Sequence, residues 1–241
     1  MARCVRKVFP NGHEALKHVS FTIAPGEFVA IVGRSGAGKL TLLRCLNGMV
    51  PVTAGEVRIG GVDVVYQEFN LIDRLSVLSN VLVGRLGHVH PLASSLRLFS
   101  RADRELALYN LYRVQLDGRA RQRADSLSGG EKQRVALARA MTQEPLVLLA
   151  DEPVASLDQE LARGVMEDLR WVAKEDGVPT LVNIHDVALA RAYADRIIGI
   201  ALGEVVFDGP PGDLDEAALD RIYLRPVSAL AAAETGAEVS A

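Results

Sequence analysis

Three observations predict an α/β fold built on a mostly parallel sheet with helices packed against it. β-Branched, extended runs recur at residues 19–23, 28–32, 55–59, 146–150, 180–184 and 196–200. Between them lie helical patterns. Leu161, Val165, Leu169 and Val172 return at spacings of four, four and three, one face of a helix that must stop before Gly177. The run at 146–150 is apolar without alternation, as a central strand covered on both faces requires. Strands alternating with helices are the pattern of a parallel sheet, because parallel neighbours need a crossover.

The middle of the chain breaks this rhythm. From about 71 to 125 strand signals are few, and Leu106, Tyr109, Tyr112 and Leu116 suggest a helical stripe. This stretch reads as a helical subdomain inserted in a single domain spanning 1–226, with 227–241 a flexible, alanine-rich tail. His88 and His90 form an H-x-H in a polar loop, where solvated histidines outnumber metal ligands.

Composition narrows the class. The 241 residues are 49% hydrophobic and 24% charged, enough to bury a substantial core. A net charge of −3, with arginines scattered, gives no basic patch for a nucleic acid. Cys4 and Cys45 make no CxxC spacing, which favours a reducing compartment over a disulfide scaffold or zinc site. No signal-peptide pattern is read at the start, and no apolar run reaches the roughly 18–20 residues of a membrane span.

The strand at 28–32 runs into Gly33-Arg-Ser-Gly-Ala-Gly-Lys39, and a helical pattern follows at 41–46. Strand, glycine loop and helix in that order make a phosphate cradle. The glycines let backbone N–H groups turn inward, and the helix N-terminus adds partial positive charge. Gly33, Arg34, Ser35, Gly36, Ala37, Gly38, Lys39, Leu40 and Thr41 are therefore the candidate nucleotide-binding residues, with Lys39 directed at the β- and γ-phosphates. Leu40 departs from the pattern, which normally has Ser or Thr there to ligate Mg²⁺. Thr41 is one helical step, about 100°, further round, and is directed at the α-phosphate instead.

Asp151 and Glu152 close the strand at 146–150, at the carboxyl end of the sheet where open α/β folds bind ligands. Asp151 suits Mg²⁺ through water, and Glu152 suits orienting and deprotonating an attacking water. Upstream, Leu127-Ser-Gly-Gly-Glu-Lys-Gln-Arg134 reads as a helix start, with Ser128 the N-cap and backbone open to an anion.

In this order, the glycine loop, Gln67, Leu127-Ser-Gly-Gly-Glu131, Asp151-Glu152-Pro153, Ser156-Leu-Asp158 and His185 resemble the ABC ATPase family over about residues 8–208. The resemblance implies a P-loop NTPase core with a mostly parallel sheet, a small antiparallel β-subdomain and a helical subdomain. It implies ATP and Mg²⁺ as cofactors and a homodimer in which each ATP lies between one copy's glycine loop and the other's signature helix. Ser128, Gly129, Gly130 and Glu131 would then contact ATP across the dimer, and Asp158 would lie on its seam. Glu131 stands where glutamine is commonest. Gln67 would touch Mg²⁺ and the attacking water, His185 would read the γ-phosphate, and Phe9 would stack on adenine.

Gln67 follows Lys39 by only 28 positions (67 − 39), a short spacing for the family that implies a truncated β-subdomain. The segments at 43–48, 69–87, 87–101 and 150–158 are similar to the phosphonate-import ATPases, with amino-acid importers sharing parts of the pattern. The function implied is an importer ATPase on the cytoplasmic face of the bacterial inner membrane, peripheral to transmembrane permease subunits and, through them, a solute-binding protein. The alternatives are an ATP-binding subunit slowed by Leu40, and a soluble ABC ATPase of DNA repair or translation. Against the soluble reading, the chain has neither a long coiled coil nor a second ATPase unit.

Overall fold

The computed structural model describes residues 1–59, 64–66, 71–88, 99–155 and 157–223, with backbone only for 64–66. Nine strands are placed: β1 (Ala2–Val8), β2 (Glu14–Phe21), β3 (Phe28–Val32), β4 (Ala54–Val57), β5 (Val64–Tyr66), β6 (Val147–Asp151), β7 (Thr180–Asn183), β8 (Arg196–Ala201) and β9 (Glu204–Gly209). Strands β5, β6, β7, β3, β8 and β9 form one sheet in that order, parallel except for the β8–β9 hairpin. Strands β2, β1 and β4 form a small antiparallel sheet.

The central strand explains the two-sided core. Every residue of β3 is buried. Phe28, Ala30 and Val32 face one hydrophobic cluster, together with Leu148 and Ala150 of β6. Val29 and Ile31 face the other, together with Val147 and Leu149. Strict alternation of side chains divides one apolar run between two layers.

Among the described residues seven α-helices cover the sheet or extend from it: α1 (Lys39–Leu46), α2 (Val77–Leu82), α3 (Arg101–Arg113), α4 (Gly129–Thr142), α5 (Gln159–Asp176), α6 (Val187–Tyr193) and α7 (Glu216–Tyr223). Their starts are written locally. Ser76, Ser100, Ser128, Asp158 and Asp186 each accept a backbone N–H at an N-cap, and Ser100–Asp103 and Ser128–Glu131 are reciprocal capping boxes. Helix α5 ends as its sequence requires, with Gly177 in the left-handed region at φ 66°.

Two expectations need correction. In α3 the buried residues are Asp103, Ala107, Asn110 and Leu111, whereas Tyr109 and Tyr112 are exposed by 58% and 68%. The polar Asp103 and Asn110 lie on the buried face because Arg85 and Thr142 satisfy them, at 2.8 Å and 3.0 Å, so counting apolar residues selected the wrong face. Leu146 also precedes its strand and is 46% exposed. The shortened stretch at 60–63, Gln67, Ser156, His90 and the tail at 227–241 lie outside the described residues.

Tyr109 is exposed for a purpose the pattern did not reveal. The Arg113 guanidinium sits 4.0 Å from the Trp171 ring and 5.7 Å from the Tyr109 ring, and bonds Asp176 at 2.6 Å. This clamp ties α3 to α5. Arg113→Ala is expected to destabilise the fold by about 2 kcal/mol. Arg113→Lys should recover little of it, since an ammonium cannot stack as a plane. Urea unfolding of the three proteins measures both, and equal midpoints would remove the clamp.

Candidate functional site

The parallel order β6–β7–β3 places three carboxyl ends side by side. Asp151 pairs with Asn183 across β6 and β7, and Ile31 pairs with Asn183 across β3 and β7. The glycine loop therefore leaves β3 beside Asp151-Glu152 and beside the Asn183–His185 segment. Chain order puts the glycine loop more than a hundred residues before the other two groups; sheet order makes all three neighbours.

A cleft of about 340 Å³ lies at this junction. Its walls include Ser35, Gly36, Gly38, Lys39, Leu40 and Thr41 from the loop and α1. Glu152 and His185 enter from the sheet ends, and Phe9, His13 and Ala15 from the β1–β2 hairpin. Sequence reasoning missed His13. Its ring lies nearly parallel to that of Phe9, 11° apart in plane and 6.4 Å between centroids, a pairing that four-residue spacing across a hairpin turn does not announce.

The loop's glycines are forced. Gly33 has φ 153° and a Cβ there would come within 2.2 Å of the Ile200 carbonyl oxygen. Gly38 has φ 106° and its Cβ would fall 2.5 Å from the Ala15 oxygen. Only glycine permits both the dihedral and the approach. Ala37 fastens the loop from the other side, its carbonyl accepting the Gly203 N–H at 3.0 Å, and Arg34 donates to the Tyr223 carbonyl at 3.0 Å.

Lys39 is 5% exposed, and its ammonium donates to the Gly33 and Arg34 carbonyls at 2.6 and 2.9 Å. Burial pushes its pKa down, while the charges of Glu152 and Asp151 pull it back up. Glu152 is backed by His185, whose Nε2 lies 2.5 Å from Oε1. Glu152 adopts φ 47°, in the left-handed region that a non-glycine residue occupies at a cost of about 1–3 kcal/mol. The Asn183 carbonyl holds it there, accepting the Glu152 N–H at 2.9 Å.

The donor set suits Mg²⁺. Asp151 and Glu152 offer hard carboxylate oxygens, and Mg²⁺ takes one or two such groups with phosphate and water completing its octahedron. Among the described residues no group of three or more acidic, histidine or cysteine side chains is placed to hold a metal ion. Leu40 lines the cleft, 37% exposed, and has no ligand atom. Leu40→Ser is expected to raise Mg²⁺-dependent turnover about tenfold or more and to lower the Mg²⁺ midpoint. Equal steady-state rates for the two proteins would show that position 40 does not limit catalysis.

Ser128, Gly129, Gly130, Glu131 and Asp158 do not line this cleft. They sit at two neighbouring helix starts. The Glu131 carboxylate accepts from the Ser128 N–H at 2.9 Å and pairs with Arg119 at 2.9 Å. The Ser128 backbone bond, chiefly, holds the Glu131 carboxyl below its usual pKa range. A Cβ on Gly130 would lie 2.8 Å from the Leu161 side-chain methyl, so the α4 start lies against that of α5. Asp158 accepts the Leu161 N–H at 2.9 Å. One link to the cleft was not foreseen: buried Gln133 of α4 donates to the Pro153 carbonyl, just after Glu152.

Comparison with known proteins agrees with this arrangement. The profile of the family described as ABC transporter matches residues 16–155. Phosphonates import ATP-binding proteins of Halalkalibacterium halodurans and Shouchella clausii are each 48% identical over 240 residues, covering 92% of this chain and 93% and 90% of theirs. A dimeric ATP-binding cassette in a post-hydrolysis state, bound to ADP and Pi, is 33% identical with TM-score 0.72, covering 87% of this chain and 97% of that one. A second cassette, in its ADP conformation, shares the fold at TM-score 0.80 and 22% identity, covering 92% of this chain and 95% of that one. With its phosphate loop, paired carboxylates and histidine gathered at one end of the sheet, the chain belongs to the ABC transporter family, as an ATPase.

Proposed function

We propose that this chain binds and hydrolyses Mg-ATP as the energising subunit of an importer for phosphonates. The observation that carries the reading is the meeting of Lys39, Glu152 and His185 at one cleft behind a glycine loop. The named activity of relatives 48% identical over nearly their full length supports the solute class.

In this reading the loop amides and Lys39 hold the phosphates, and Phe9 faces the adenine. Asp151, through water, and Gln67 would hold Mg²⁺, which would neutralise phosphate charge there, with Leu40 lacking the usual hydroxyl. Glu152 takes the proton of the attacking water, and His185 orients its carboxylate and senses the γ-phosphate. Ser128, Gly129, Gly130 and Glu131, outside the cleft of their own copy, complete the opposite cleft in a head-to-tail homodimer with Asp158 at the seam. The helices inserted between β5 and β6 pass dimer closure to transmembrane permease subunits, which a solute-binding protein supplies. No helix among the described residues is long and apolar enough to cross a membrane. In this reading attachment to the cytoplasmic face of the inner membrane is peripheral, through the permease.

The test is vanadate-sensitive ATP turnover with and without the cognate permease in lipid, with phosphonate and its binding protein present or absent. Stimulation by phosphonate but not by an amino acid is expected. Turnover indifferent to permease and solute would overturn the importer role.

A further inference from the structure

Asn183 is a buried polar side chain at the carboxyl ends of the sheet that the roles above leave unused. It is 2% exposed, at the last position of β7, where its neighbours Leu181, Val182 and Ile184 are apolar. An amide there needs partners, since an unsatisfied buried polar group costs about 1–3 kcal/mol. One partner is plain: Nδ2 donates to Asp151 Oδ1 at 2.5 Å. The opposite amide orientation would set two acceptors against each other, so the donor must face the carboxylate. The main chain works in the same direction, the Asn183 carbonyl accepting from Glu152 at 2.9 Å. A single residue thus fixes the side chain of one carboxylate and the backbone of the next. Its Oδ1, however, is buried and lacks any hydrogen-bond partner among the described residues, and the residue lines the cleft.

An orphan acceptor beside an oriented carboxylate is what a hydrated cation would complete. Water bound to a divalent cation is a strong donor, and Leu40 offers no oxygen of its own to compete for that water. We propose that Asn183 is a positioning residue for the divalent cation. Its amide N–H fixes the Asp151 carboxylate, and its Oδ1 accepts from a cation-bound water. This rests on the Mg-ATP reading and extends it to a residue that touches neither phosphate nor attacking water.

The experiment uses the full chain, Mn²⁺ as spin probe and ADP as nucleotide. Mn²⁺ affinity is measured by electron paramagnetic resonance in the presence of ADP, and ADP affinity by calorimetry in EDTA. Asn183→Leu is expected to weaken Mn²⁺ binding about tenfold, with metal-free ADP affinity unchanged within about twofold, and to raise the Mg²⁺ midpoint of turnover by the same factor as the Mn²⁺ loss. Asn183→Ala carries the same comparison should the leucine variant fail to fold. Unchanged Mn²⁺ affinity, or an equal loss of metal-free ADP binding, overturns the proposal. Were the wild-type chain itself to bind no ADP, the ATP reading would fall with it. Wild-type binding beside variants that keep Mn²⁺ would remove Asn183 alone.

Discussion

Glu152→Gln is expected to reduce ATP turnover by about 10²–10⁴-fold while ATP still binds. The amide keeps the size of the carboxylate but cannot accept a proton. It also loses the charge that partners His185 at 2.5 Å and that holds the Lys39 pKa up. Lys39 keeps its two carbonyl partners in the variant, so affinity for the triphosphate should survive and bound ATP should persist. Single-turnover hydrolysis and equilibrium ATP binding separate the two effects. Turnover within about threefold of wild type would show that another group takes the proton.

The second large effect concerns affinity. Lys39→Ala should weaken ADP and ATP binding by about a hundredfold, equivalent to about 3 kcal/mol. The ammonium is buried between the Gly33 and Arg34 carbonyls, and its removal deletes a desolvated positive charge and leaves both oxygens without their donor. Arginine should not rescue it, because a planar guanidinium does not fit a pocket sized for one ammonium. Calorimetry with ADP reads the change directly, and affinity within a few-fold of wild type would remove Lys39 from the phosphate site.

The parts of the fold that were legible in sequence share one property: their periodicity is undisturbed. The buried stripe Val165, Leu169 and Val172 of α5 and the all-apolar β3 announce themselves. Strand β1 does not. Its ladder is interrupted between Ala2 and Val5, where Cys4 adopts φ 48°, and the bulge puts the buried residues out of step with alternation. Strand β9 is an antiparallel edge with only partial burial, so its apolar signal is weak. In α3 buried polar partners replaced the apolar stripe that a pattern search needs. At the site, groups carried by a contiguous motif, such as Gly33 to Lys39 or Asp151-Glu152, could be read directly. His13 and Asn183 could not, because the meaning of His13 comes from a ring across a hairpin turn and that of Asn183 from a carboxylate on another strand. Gln133 likewise matters only through the Pro153 carbonyl it reaches.

The left-handed backbone at Glu152 sets resilience against chemistry at a single codon. Glycine adopts that dihedral without steric strain, and asparagine with little. A selection scored on heat tolerance alone is therefore expected to favour those replacements here, enriching hardier proteins that no longer turn over. Any thermostabilised version of this chain must be screened for hydrolysis in the same round.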